Sequence, residues 1–435
     1  MSRSFRQPAD GSPGATRVRP GDGSESARRV TSLDVLVIGM HYAPEHSGNA
    51  PYTTGMTRAL AAAGHRVRVV TGYPHYPRWR LAPGYRGLRR SELDGAVRLT
   101  RVRHPVPAVP TAARRVLMDV TFAGHAATVR GPRPDVVIAI SPVLLTVATA
   151  LRWRRAGRTA VGVVTQDLYS RALLETGMTS ARSAGLAARL ERALLDRADG
   201  IAVVHENFAI SLDRLGVHRP PISVIRNWTH VTPSHADRAA TRARLGWGER
   251  EIIALHAGNM GAKQGLGNVV AAARHADAVR AGVRFVLMGD GGQRRALQAD
   301  GHGVRSLTFT DPLPDGQFED ALAAADVLVL NEAPRVAEMS VPSKLTSYFA
   351  SGRPVVAASD PRSAASAEIA RSGAGVRVDP GDPGALHDAA LRLGGDPGGA
   401  RRMGARGRGY ADEHLTGAAA GRAYLDWVAQ LAGAR

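Results

Sequence analysis

The sequence predicts an α/β protein of two tandem parallel-sheet domains that face each other across a cleft. Three observations carry this reading. Short, almost continuously apolar runs alternate with helical stretches from Leu33 onward, and the alternation restarts at Glu251 after a polar stretch at 228–250. The chain has 435 residues, 44% hydrophobic and 22% charged, enough for two or three domains with sizeable cores. Strands that are apolar on both faces belong to parallel sheets covered by helices on both sides, so each series reads as a Rossmann-like domain.

Residues 1–32 are polar, with Gly, Pro, Ser and Arg and no apolar core of a signal peptide, and are expected to form a disordered tail. The first strand is expected at Leu33–Gly39. A helix from about Pro51 to Ala63 follows, with Asn49 as N-cap, Pro51 in its first turn and Gly64 at its end. Strands then follow at Arg66–Thr71, Asp135–Ile140, Ala160–Gln166, Gly200–Glu206 and Ile222–Asn227. The apolar run Val136–Leu151 contains Pro142 and is shorter than the ~20 residues of a membrane span, so it reads as a buried strand entering a buried helix. The second series comprises Glu251–Gly258, Arg284–Gly291, Ser306–Asp311, Asp326–Glu332, Arg353–Ser359 and Gly375–Asp379. These boundaries give a first domain at 33–230, a linker at 231–250, a second domain at 251–410 and a helical segment at 411–435.

Composition removes several function classes. Without cysteine there is no disulfide scaffold, thiolate zinc site or cysteine nucleophile. P-loop, GxGxxG, HExxH, GxSxG and DxD motifs are all absent, which weighs against P-loop ATPases, ordinary dehydrogenases, zincins, serine hydrolases and a metal-held diphosphate. The net charge of +19 is uneven: residues 1–230 hold 33 Arg against 16 acidic residues, a net of +17. Such a field attracts polyanions, whether nucleic acid, an anionic membrane surface or a phosphorylated substrate. Only two of the 57 basic residues are lysines, Lys263 and Lys344.

Open parallel sheets bind ligands beyond the carboxyl ends of their strands, so the loops there are the candidates. His46-Ser47-Gly48-Asn49 precedes a helix N-terminus, where backbone amides can hold an anion. Gly258-Asn259-Met260-Gly261-Ala262-Lys263-Gln264-Gly265 follows a strand with three glycines, two amides and one lysine. Gly289-Asp290-Gly291-Gly292 is either a ligand loop or a tight turn. In the segment from Glu338 to Pro354, Ser343 can cap a short helix that Gly352 closes. Lys344 in the first turn of that helix opposes its dipole, which becomes sensible if an anion lies between the ammonium and the amides. Asp167, after the strand at Ala160–Gln166, either faces the cleft or caps the following helix.

YAPEHSGNAPYTTGMTRALAAAGHRVRVVTGYPHYP, ADGIAVVHENF, ISVIRNWTH, HAGNMGAKQGL and SVPSKLTSYFASGRPVVA together resemble the retaining family-4 glycosyltransferases of the two-Rossmann GT-B fold, in their bacterial exopolysaccharide, colanic-acid-type branch. The resemblance runs from about Leu33 to the C-terminus. It implies transfer of a sugar from a nucleotide-diphosphate donor, with retention, to a saccharide acceptor, either one linked to a polyprenyl diphosphate or another saccharide. The second domain would hold the donor and the first the acceptor. Gly48, Asn49, Asn259, Lys263, Gln264 and Lys344 would serve the diphosphate; Gly289, Asp290, Gly291 and Ser347 the nucleotide and its ribose. Asp167 and Glu338 are the candidates for catalysis. Asn259, Lys263 and Gln264 fall where the family places a phosphate-binding Arg and Lys pair. Met339 and Ser347 stand where it carries two glutamates. No cofactor and no metal are expected, because amides and lysines can stabilise the leaving diphosphate.

Two basic segments, 76–90 with Tyr76, Trp79 and Tyr85 among arginines, and 152–158, suit an anionic membrane interface or a solvated loop. The protein is accordingly expected in the cytoplasm, peripheral on the inner face of the membrane. Two rival readings are a nucleotide-sugar 2-epimerase of the same fold and a basic nucleic-acid-binding protein. The second lacks any recognition motif, so nucleic acid is not an expected partner.

Overall fold

The computed structural model describes residues 32–46, 48–108, 111–154, 158–168, 181–314, 316–334 and 343–433. Residues 33–435 form one compact unit, and the tail expected at 1–32 lies almost wholly outside the described residues.

The first domain holds an eight-stranded sheet in the order β3-β4-β2-β1-β5-β6-β7-β8. Its strands are β1 (Asp34–Ile38), β2 (Arg66–Gly72), β3 (Arg89–Asp94), β4 (Val97–Val102), β5 (Val136–Ser141), β6 (Ala160–Thr165), β7 (Gly200–Val203) and β8 (Ile222–Val224). All neighbours are parallel except β3, which runs antiparallel to β4. The sequence reading missed this hairpin because Arg89–Asp94, RRSELD, has only one apolar residue. An edge strand that faces water needs no apolar run.

The second domain holds six parallel strands in the order β11-β10-β9-β12-β13-β14. They are β9 (Ile252–Ala257), β10 (Val283–Met288), β11 (Leu307–Thr310), β12 (Val327–Asn331), β13 (Val355–Ala358) and β14 (Gly375–Val378). In both sheets the chain order reverses beside the first strand, at β1/β5 and at β9/β12. Loops leaving the two strands of such a pair diverge to opposite faces and open a crevice.

Helices cover both faces of each sheet. In the first domain they are α1 (Ala50–Ala62), α2 (Ala112–Ala127), α3 (Leu144–Leu151), α4 (Ala181–Leu195) and α5 (Glu206–Leu215). The polar connection carries α6 (Arg238–Arg244), whose buried Arg242 bonds Asp326 and the Ala324 carbonyl, so most of it packs on the second domain. The second domain adds α7 (Gly267–Val279), α8 (Arg294–Asp300), α9 (Gln317–Ala324), α10 (Ser343–Ala350), α11 (Ala364–Ser372), α12 (Pro383–Gly395) and α13 (Pro397–His414). The last helix, α14 (Gly417–Gly433), crosses back: Tyr424, Trp427, Val428 and Leu431 join the core of the first domain, with Trp427 lying over Gly162 of β6. A boundary at 410 therefore falls inside α13.

A buried ionic cluster joins the domains. Glu368 on α11 accepts from His205, Arg226, Arg371 and Tyr410, the first two belonging to the first domain. Burial alone would raise the Glu368 carboxyl, but these donors outweigh it and hold the group at about 2.

Candidate active site

The loop after β1 enters α1 through Gly48 and Asn49. Gly48 has φ +64°, and a Cβ there would lie 3.3 Å from the Tyr76 ring, so the position demands a residue without one. Asn49 stands at the N-cap position but its side chain caps nothing. Its Nδ2 instead donates to the Ser141 carbonyl at 3.4 Å, tying the β1 loop to the end of β5 across the switch point. The first turn of α1 is thereby left without the side-chain cap the sequence predicts. Ser47 lies outside the described residues.

Behind this loop, buried Glu45 acts as a clamp. Its Oε1 accepts from the backbone N–H of His75 at 2.7 Å and of Tyr76 at 2.8 Å, and His41 Nδ1 meets Oε2 at 2.7 Å. Burial pushes the carboxyl up, but these donors prevail and hold it below its ordinary value.

In the second domain the 258–265 loop turns back through a short 3-10 helix, Ala262–Gln264, and Gln264 Oε1 accepts from the Gly261 N–H at 3.0 Å. Asn331 at the end of β12 donates Nδ2 to the carbonyls of Gln264 and Gly265, and the Ala333 N–H bonds the Lys263 carbonyl. The 289–292 loop packs onto the first: a Cβ at Gly289 would lie 2.0 Å from the Gly258 carbonyl oxygen, and the Asp290 carbonyl accepts from Met260. Gly291 is similarly crowded by Asn259 Oδ1 and the Met260 backbone. The turn reading of this loop thus has a packing basis, and Asp290 Oδ1 bonds the Gly291 N–H within it.

Lys344 joins the second and fourth loops. Sitting in the first turn of α10, it runs over Gly258, where a Cβ would come within 2.8 Å of its Cε, and its Nζ donates to the Asn259 carbonyl at 3.4 Å. Tyr348 on the same helix holds this arrangement from below, its hydroxyl accepting from the Ala257 N–H at 2.9 Å. Burial pulls the Lys344 ammonium down to about 8, against an opposing attraction from Glu332. Gly352 closes α10 with φ +70°, as its sequence position predicts. Ser347 lies half-buried on α10; Ser343 is the first residue of that helix. Glu338 and the rest of 335–342 lie outside the described residues.

Asp167 follows β6 on the opposing wall. Burial raises its carboxyl to about 6, opposed first by the charge of Lys263 in the second domain. Its carbonyl accepts from Ser141 Oγ at 3.1 Å and its Oδ1 accepts from the Leu168 N–H at 3.0 Å. Asp167 and Asn49 therefore both meet Ser141, while Lys263 and Lys344 meet the loop network of the second sheet. The segment after Leu168, where the sequence places a helix for Asp167 to cap, lies outside the described residues.

Sequence reasoning missed Glu332. It is 6% exposed, and burial raises its carboxyl to about 7, while a hydrogen bond from Ser363 and then the charge of Lys344 draw it down. A charged residue directly after a buried strand was the available signal. Next to the crevice, a groove of about 880 Å³ runs between α1 and α9, lined by Glu45, His46, Arg58, Trp228, His230 and Phe318 among others.

Of the segments 76–90 and 152–158, the aromatics and some arginines make contacts within the chain. Arg115 lies 4.8 Å from the Trp79 ring and Arg90 5.3 Å from that of Tyr85. Arg152 bonds the Val129 carbonyl, and Arg154 pairs with Asp199 at 2.7 Å.

Two protein-family profiles match the chain: glycosyl transferase 4-like domain over residues 47–228 and glycosyl transferases group 1 over residues 251–396. A protein of Escherichia coli strain K12 that carries the name colanic acid biosynthesis glycosyl transferase WcaI is 31% identical over 341 residues. The match covers 74% of this chain and 82% of that protein. Among solved structures, sucrose-phosphate synthase from Thermosynechococcus elongatus superposes with a TM-score of 0.70 at 20% identity, covering 92% of this chain and 99% of that one. Anabaena HepE in complex with UDP-glucose gives 0.65 at 14% identity, with 92% and 100% coverage.

Proposed function

Because the chain belongs to the family-4 glycosyltransferases of the GT-B fold, we propose that it moves a sugar from a nucleotide-diphosphate sugar to a saccharide acceptor, with retention of anomeric configuration, in exopolysaccharide or cell-envelope glycan synthesis. One observation carries the donor assignment. The only two lysines of an arginine-rich chain fall on the segments that follow β9 and β12, the strands of the switch point in one domain, and one of them is desolvated over a glycine. The UDP-glucose held by HepE on the same fold supports it.

In this reading Lys344 and Lys263 stabilise the charge that builds on the diphosphate as it leaves. The uncapped first turn of α1 faces the same oxygens from across the crevice. Asn259, Gln264, Gly289, Asp290, Gly291 and Ser347 line the donor side, and Glu338 belongs to the same segment. Glu332 presents its carboxylate to the sugar hydroxyls. Asp167, a stronger base than an exposed aspartate, orients the acceptor hydroxyl or takes its proton, which the leaving phosphate can also accept. No cofactor is needed, and turnover should persist in excess chelator. The acceptor is placed on a polyprenyl diphosphate at the inner membrane face. Exposed Val116, Leu117 and Val120 of α2, in the +17 half, support contact with anionic lipid.

The test is a panel of nucleotide sugars with membrane extract as acceptor source, read as free nucleotide. Release that requires acceptor is expected. Nucleotide release without acceptor, or epimerised donor, would favour the 2-epimerase.

A further inference from the structure

Three clusters of histidine and acidic side chains among the described residues bring their ligand atoms within 4.8 Å of one another. In two of them the carboxylate is already engaged. Glu45 accepts from two backbone N–H groups and faces His41, and Glu368 accepts from His205, Arg226, Arg371 and Tyr410. Adding a cation there would displace charge-assisted bonds inside the fold.

The third cluster differs. His275 on α7 and His387 and Asp388 on α12 lie on two helices that pack side by side over one face of the second sheet, away from the loops of the crevice. His387 is 2% exposed, yet its Nε2 has no hydrogen-bond partner. A buried imidazole nitrogen left this way is costly unless something fills its lone pair. Its other nitrogen, Nδ1, lies 2.9 Å from Asp388 Oδ1. That bond fixes the proton on Nδ1 and leaves Nε2 as a bare donor of electrons, the tautomer that binds a metal. The ring of His275 stands edge-on to that of His387 with centroids 4.9 Å apart. His275 and Asp388 are both exposed, so an ion can enter from solvent and keep water in its remaining positions.

We propose that His275 and His387, with Asp388 as the carboxylate that orients His387, form a site for a divalent ion of the zinc class that staples α7 to α12. Two imidazoles select such an ion over magnesium or calcium, which prefer all-oxygen shells. The site is structural and separate from glycosyl transfer, so a chelator lowers thermal stability without stopping turnover.

Calorimetric titration of the chelator-treated full-length protein with zinc chloride tests this, with magnesium chloride as the control. One zinc per chain, no magnesium, and a raised melting temperature are expected. The exposed His275→Ala variant should fold normally and lose the zinc-dependent rise. Asp388→Asn should weaken zinc by roughly ten- to a hundredfold, the range for a partner that orients a metal-bound imidazole. Unchanged zinc binding in His275→Ala would overturn the assignment. So would loss of zinc in His41→Ala instead, which would place the ion in the Glu45 cluster.

Discussion

At the switch point of the first sheet, Asn49 reaches from the β1 loop to the Ser141 carbonyl at the end of β5. At that of the second sheet, Asn331 at the end of β12 reaches the carbonyls of Gln264 and Gly265 in the β9 loop. The two sheets thus join their divergent loops by the same device, a side-chain amide on a backbone carbonyl. What they place beside it differs. The first offers helix amides, the clamped Glu45 and the acidic Asp167; the second offers both lysines and the buried Glu332. In the function proposed above, the two walls carry opposite chemistry, one suited to an acceptor and its proton, the other to an anionic donor.

The largest effect is expected from removing the clamp on the acceptor side. Glu45→Ala leaves the N–H groups of His75 and Tyr76 buried without an acceptor and should destabilise the protein by roughly 3 kcal/mol or more in urea unfolding. Because the folded Glu45 carboxyl lies below its ordinary value, its contribution is present at neutral pH and is lost as pH falls through the folded value. The variant should therefore have lost part of the acid sensitivity of the wild type. A wild-type-like unfolding curve would show that the β1 and β2 loops hold together without it.

On the donor side, Lys344→Ala should lower kcat/KM by roughly two orders of magnitude, the scale of a lost transition-state donor, with thermal stability nearly unchanged. Lys344→Arg should rescue poorly, since the end of the lysine stem lies tight over Gly258 and a planar guanidinium would not fit there. Full activity of the arginine variant would mean that charge alone suffices. The smallest effect is expected at Gly48→Ala, where a methyl at φ +64° crowds the Tyr76 ring. A loss of ~1 kcal/mol in stability, with a matching rise in KM for the donor, would place α1 against the diphosphate. An unchanged KM would remove it.

Most of the scaffold was legible because buried parallel strands are apolar along their whole length, as in VVIAIS of β5 and VLVLN of β12. RRSELD of β3 was not, being an edge strand. Nor was the return of α14 to the first domain, since an amphipathic helix does not say which core it will cover. The pairing of Lys344 with the Gly258 loop was legible as two loops after strands of one sheet, whereas the pull of the Lys263 charge on the Asp167 carboxyl depends on how the two walls face each other. Residue type and position both make Asn49 a cap, but a carbonyl from β5, distant in sequence, takes its amide instead. Glu332 carries no motif, and only its burial beside Lys344 distinguishes it.

The central claim is that one site is built from both walls, and the pH dependence of kcat/KM tests it most directly. Asp167, raised to about 6, must be ionised, and Lys344, lowered to about 8, must be protonated. The wild type should show a bell with limbs near those values, since kcat/KM reports the free enzyme. Asp167→Asn should abolish the acid limb alone, and Lys344→Arg the alkaline limb alone. Both limbs persisting unchanged in both variants would contradict a site shared between the two walls.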